Sequence, residues 1–419
     1  MRTQAIGAGF EGLEERLLLA GNVTSALLAG VLVLNGDALA NQVQLTVASN
    51  GQLTATGLTG TTIDGVTSVN FGVVNTLTVN GGAGDDKIFL NATAAPIANN
   101  VTIDGGAGSD TISITGRFGA NLVLTGGAGL DTISVSKSTV AVDLNLDAGD
   151  GNDRVTVSDS TVGRDAVIQS GMGNDSVTVS GTTVNRNLSL NDTGGNNTFR
   201  ITNSSSRGDI LVGGALGSLG AGNDSLVMNG VTAGFKAGVT ATGSISINLG
   251  DGNNVLSMSN SRTLGTAIGN GILITSGIGN DVLGIADSQS ANLITINAGD
   301  GGNRVELTRV TANAIGALNI TTGLGADSVK LDQVIIGGLG AIDTGAGNDI
   351  LQITNSRFTG LFSATAGAGN DVAYLSSNFF AAAGSTVDGG AGIDAVTQGA
   401  NNPSTRVGIT FENTRFRVV

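Results

Sequence analysis

Few residues in this chain could do chemistry. It has no histidine, cysteine or tryptophan, and Tyr374 is its only tyrosine. What recurs is a carboxylate closing a glycine-rich hexad, as in TGAGND (Thr344 to Asp349), AGDGND (Ala148 to Asp153) and GGAGSD (Gly105 to Asp110). The carboxylates are Asp86, Asp110, Asp131, Asp153, Asp175, Asp224, Asp281, Asp327, Asp349, Asp371 and Asp394, and asparagine stands in their place at Asn197, Asn254 and Asn303. Successive markers are 21 to 30 residues apart, most often 22. Glycine lets a backbone turn its carbonyls inward, and carbonyls beside a carboxylate are the oxygen-rich setting a hard cation needs. The same residues are also ordinary turn chemistry, with glycine at positive φ and Asn or Asp bonding nearby backbone. The hexad therefore reads either as a metal clamp or as a corner of the chain.

The elements that position these carboxylates follow from alternation. The second and fourth residues after a marker are almost always apolar, as in Ile112 and Ile114, Val155 and Val157, and Leu351 and Ile353, while the third is Ser113, Thr156 or Gln352. Period two defines a strand with one buried face. A second short strand precedes each hexad (LNLD, 144–147; LSLN, 188–191; ITIN, 294–297), and a third apolar touch lies between at Val140, Val162 and Val184. A unit of about 22 residues is too short for a propeller blade of about 40. At about 3.3 Å per residue its perimeter is about 70 Å, which suits a three-sided coil. The expectation is an all-β fold: a right-handed parallel β-helix (β-solenoid) of about 22 residues per coil, with a short N-terminal helix over Phe10 to Ala20. Residues 1–20 read as a targeting or capping segment, 21–75 as N-terminal capping coils, 76–400 as the repeat, and 401–419 as closing strands. Asp159, Asn203, Asn260, Asp287 and Asn355, six residues after their markers, are expected to stack as a polar ladder at a second corner.

Composition narrows the function. A net charge of −14 argues against nucleic-acid binding, which needs clustered Lys and Arg. No apolar run is long enough to be a membrane-spanning helix. Without histidine the commonest general base is missing, and at 3% aromatics there is little to stack on sugars. Parallel β-helices do include polysaccharide-processing enzymes, so a carbohydrate-active enzyme or glycan-binding module is the rival expectation. Arg164, Arg186 and Arg207 should fall near one edge and either offset carboxylates such as Asp165 and Asp209 or bind an anionic polymer.

The phrase GGAGSDTIS (Gly105 to Ser113) resembles the nonapeptide G-G-x-G-x-D-x-U-x of RTX-type calcium-binding proteins. That resemblance implies Ca²⁺ held by loop carbonyls and by the eleven hexad aspartates named above. This chain departs from the family in spacing, with one hexad per about 22 residues instead of nine, so at most one edge could carry ions. The segment FEGLEERLLLAGNV (Phe10 to Val23) resembles the L-E-P-R-x-L-L motif at the head of exported bacterial proteins, with Glu15 where proline is usual. Together these imply a secreted or cell-surface, non-enzymatic structural or adhesin-like repeat protein. Calcium is its expected cofactor, and surface polysaccharide or other cell-envelope components are its expected partners.

Overall fold

The computed structural model describes residues 21–213, 217–234, 243–265, 270–313 and 316–399, together with strands at 409–412 and 415–418. The expected helix over Phe10 to Ala20 lies outside the described residues. What is described is all β, a parallel solenoid whose coils repeat about every 22 residues.

One coil shows the plan. Arg154–Ser158 leaves the hexad, Thr161–Val162 forms a short second side, and Ala166–Gln169 returns to the next hexad. Each strand pairs in parallel and in register with its copy one coil on, as in Val155 with Val177, Val162 with Val184, and Ile168 with Leu190. The alternating apolar residues all point into one continuous core, where Ile112, Val157, Leu331 and Ile353 are at most 1% exposed. Burying such aliphatic chains contributes about 1.5–3 kcal/mol each. Near the C-terminal end the core changes character. Phe358, Phe362 and Phe380 pack with ring centroids 4.6 to 5.3 Å apart, filling the interior there with a cluster of three rings.

At the second corner side chains bond along the stack in part: Asn260 Nδ2 donates to Asn229 Oδ1 at 3.4 Å, Asn355 Nδ2 to Asp332 Oδ1 at 2.9 Å, and Arg309 to Asp287 at 2.8 Å. At the sixth position Asp159, Asn203, Asn260, Asp287 and Asn355 have φ between 48° and 52°, and Gly181 and Gly230 take the same position with φ of 57° and 66°. This corner needs one left-handed residue per coil. Asn, Asp and Gly recur there because they enter that region at least cost.

The N-terminal part is a mixture. Val31–Asn35 and Gln42–Val47 stack in parallel on Thr76–Ala83 and Lys87–Ile97, as a first coil would. Their partners fold back antiparallel: Asn22–Leu28 on Val31–Asn35, and Gln52–Gly57 on both Gln42–Val47 and Ser68–Val73. At the other end, Ile409–Glu412 and Arg415–Val418 lie parallel on Ser385–Asp388 and Ala395–Gln398, adding one more layer to the stack.

Candidate functional site

The glycine corner gathers the chain's most unusual side chains. Its glycines are required twice over. At Gly149 φ is 103°, and a Cβ there would also run into the carbonyl of Gly127 in the neighbouring coil. Successive coils therefore approach backbone to backbone at this edge, and the residues that follow are drawn inside.

All eleven hexad aspartates are buried, none more than 3% exposed. Each uses one carboxylate oxygen in the same way. The backbone N–H of Asp131 donates to Asp153 Oδ1 at 2.7 Å, that of Asp153 donates to Asp175 Oδ1 at 2.7 Å, and that of Asp349 donates to Asp371 Oδ1 at 2.8 Å. The chain of bonds is unbroken from Asn41, whose N–H donates to Asp86, through Asn197, Asn254 and Asn303 to Asp394. Asn41 is thus the first rung although no glycine hexad precedes it. In a parallel stack a corner leaves backbone donors out of the sheet ladder, and a side-chain acceptor from the next coil supplies the missing partner.

The residue before the marker works in the opposite direction and at the surface. The N–H groups of Asn174, Asn196 and Asn223 donate to the Oδ1 atoms of Asn152, Asn174 and Asn196, each one coil earlier. A third ladder, which sequence reasoning missed, runs at the corner before the returning strand. There Asp143, Asp165, Asn187 and Asp209 donate backbone N–H groups to Asn121, Asp143, Asp165 and Asn187. Its signal was available in the same spacing of 22, but no glycine marks it. Arg164 and Arg186 lie on this edge and pair with Asp143 and Asp165 of the preceding coils, which is the charge-offsetting role.

The second oxygen of every hexad aspartate, Oδ2, is buried and accepts no hydrogen bond of good geometry, though the hydroxyls of Ser276, Thr322 and Thr344 lie near enough to Asp281, Asp327 and Asp349 to favour their charged forms. Oδ2 packs on the first residue of its own hexad, so that a Cβ at Gly105 would lie 2.5 Å from Asp110 Oδ2. The three asparagine rungs show what surrounds that position. Asn303 accepts the N–H of Asp281 through Oδ1, so its Nδ2 stands where an aspartate carries Oδ2. It donates to the carbonyls of Gly299 (2.9 Å), Gly301 (3.2 Å) and Thr322 (3.0 Å). Asn254 Nδ2 likewise donates to Gly250 and Gly252. At these two rungs the place is lined by carbonyl oxygens, whereas Asn197 Nδ2 donates to the Asp192 carboxylate at 2.7 Å and to the Gly195 carbonyl at 3.3 Å.

Such surroundings penalise a negative charge. Burial pushes Asp110 and Asp153 up to about 7, and Asp86, Asp175 and Asp224 up to about 6, from an ordinary 3.8. Asp131, Asp281, Asp327, Asp349 and Asp371 are raised for the same reason. Neighbouring rungs add repulsion, as Asp131 and Asp86 do at Asp110.

Among the described residues no three acidic side chains converge in a group able to hold a metal ion. A small, mostly apolar cavity near the C-terminal end is lined in part by Asp349, Asp371, Asp388 and Asp394, three of them rungs of the hexad column, so its carboxylates belong to the corner already described. A second, surface depression differs. That one, at Asn260, Arg262, Asp287 and Gln289, contains a single carboxylate, and Arg309 holds it at 2.8 Å. No helix among the described residues is long and apolar enough to cross a membrane. Comparison with protein-family models, with curated proteins and with solved structures returned no match.

Proposed function

We propose that this chain is a non-enzymatic structural rod, right-handed in its winding, that acts outside the cell or at its surface as a spacer or adhesin-like element. The observation carrying this reading is the continuity of the stack. Side-chain ladders stitch the corners of coil after coil, and the polar groups that could have formed a cleft are spent inside those corners. At about 4.8 Å per coil, fourteen marked coils give a rod of about 65 Å. The N-terminal Phe10 to Val23 motif supports an exported location, and cell-envelope polysaccharide is the proposed contact.

In this reading the hexad aspartates are corner stitches. Thermal unfolding in EDTA and then in millimolar Ca²⁺ tests that assignment, because a ligand selective for the folded chain must raise the midpoint. An unchanged midpoint is expected. A calcium-dependent rise would move these residues to the metal-holding role that the RTX resemblance implies. Labelling of intact cells with an antibody to the rod tests the location, and signal only after lysis would overturn it. A carbohydrate-active alternative would show itself as release of sugar from envelope polysaccharide, which the rod is expected not to do.

A further inference from the structure

Eleven buried carboxylates, each with one oxygen that accepts no hydrogen bond of good geometry, pose a problem that the fold must solve. Burying an acceptor without a partner is destabilising, and burying an ionised one more so. Two asparagine rungs show the solution the backbone is built for. At Asn254 and Asn303 the atom in the Oδ2 position is a donor, and glycine carbonyls receive it. A neutral carboxylic acid has the same shape as that amide, with one acceptor oxygen and one donor on the second atom.

We propose that the hexad aspartates from Asp86 to Asp371 form a ladder of neutral carboxylic acids, each with a proton on Oδ2 donated to the glycine carbonyls of its own hexad. Oδ1 keeps the neighbouring coil's N–H, so both oxygens are satisfied and no charge enters the core. Folding then takes up protons, and the rod is an acid-stabilised structure. The inference rests on the corner assignment of the hexad but not on where the protein resides.

The charged groups acting on the column favour the same state. Besides neighbouring rungs they are Asp37 and Asp85 at Asp86, Asp147 at Asp153, Asp192 at Asp175 and Asp224, Asp251 at Asp281, Asp300 at Asp327, and Asp343 at Asp349. All are carboxylates, and each resists a further negative charge.

The sign follows from linkage. The folded group holds its proton to a higher pH than the unfolded one. The stabilisation is therefore complete below 3.8 and is lost as pH rises through about 6 to 7. The test uses the full chain in EDTA. At a pH between 3.8 and about 6, free aspartates are ionised, so a protonated-carboxyl band in the infrared spectrum of the folded chain must come from raised groups. The band is expected, and it should weaken in Asp131→Asn and Asp153→Asn. The thermal midpoint is expected to fall across this range in the native chain and to fall less in those variants. Absence of the band, or a midpoint that climbs with pH, would overturn the ladder. Should a variant fail to fold, the band in the native chain still decides. A band that appears only when calcium is stripped at neutral pH would also overturn it, by showing the sites to be cation-loaded.

Discussion

Asn254 shows what the sixth hexad residue must provide: an acceptor for the neighbouring coil's N–H and a second atom that can face carbonyl oxygens. Asn254→Asp would add a twelfth buried carboxyl to the column. Above about pH 7 it should lower stability, by about 1–3 kcal/mol for one more unsatisfied buried group, with far less loss near pH 3.8 where the new group carries its proton. Chemical denaturation of the variant at the two pH values checks this. Residue types at this corner were legible in the sequence, but their environment was not. A carboxylate in a glycine turn reads as an exposed ligand. Here it is buried, because its partner is the backbone of another coil, most often 22 residues away. No local pattern announces a contact of that range.

The strand faces were the most legible elements, since period two is a direct imprint of one buried side. Leu351 and Ile353 enter the core while Gln352 is only partly covered, as alternation requires. The corners were less so. Asn203 was expected to bond along a stack, yet its φ of 49° makes it a conformational choice. Asn203→Gly should leave stability nearly unchanged, since Gly181 and Gly230 already serve in neighbouring coils. Asn203→Val, forcing a β-branched residue into the left-handed region, should cost about 1–3 kcal/mol. Thermal melts of the pair separate this from loss of a side-chain bond, which would harm both variants alike. In the aromatic end section, Phe358→Ala removes a ring stacked on Phe380 at 5.3 Å and should cost about 3–5 kcal/mol.

At the scale of the whole molecule, each coil touches chiefly the coil before and the coil after, so stability is close to a sum over repeats and their interfaces. Deleting residues 154–175 joins Asp153 to Ser176 and removes one whole coil with every register kept. That variant should fold with a β-sheet circular dichroism spectrum and a small drop in midpoint. Deleting only 154–164 puts glycine corners against strands and should abolish folding. Period and marker spacing made the coil count readable in advance. The antiparallel fold-backs of 22–73 were not, because strand alternation alone carries no direction. The stitched glycine corner has a last consequence, for attack from outside. Its glycine content would class it as a soft linker, the kind of segment a protease cuts first. Yet its marker amides are bonded to buried carboxylates and its glycines are wedged against the coil below, so no stretch there can detach to enter a protease's cleft. Limited digestion should spare the hexads, and their marker amides should exchange hydrogen as slowly as those of the strands.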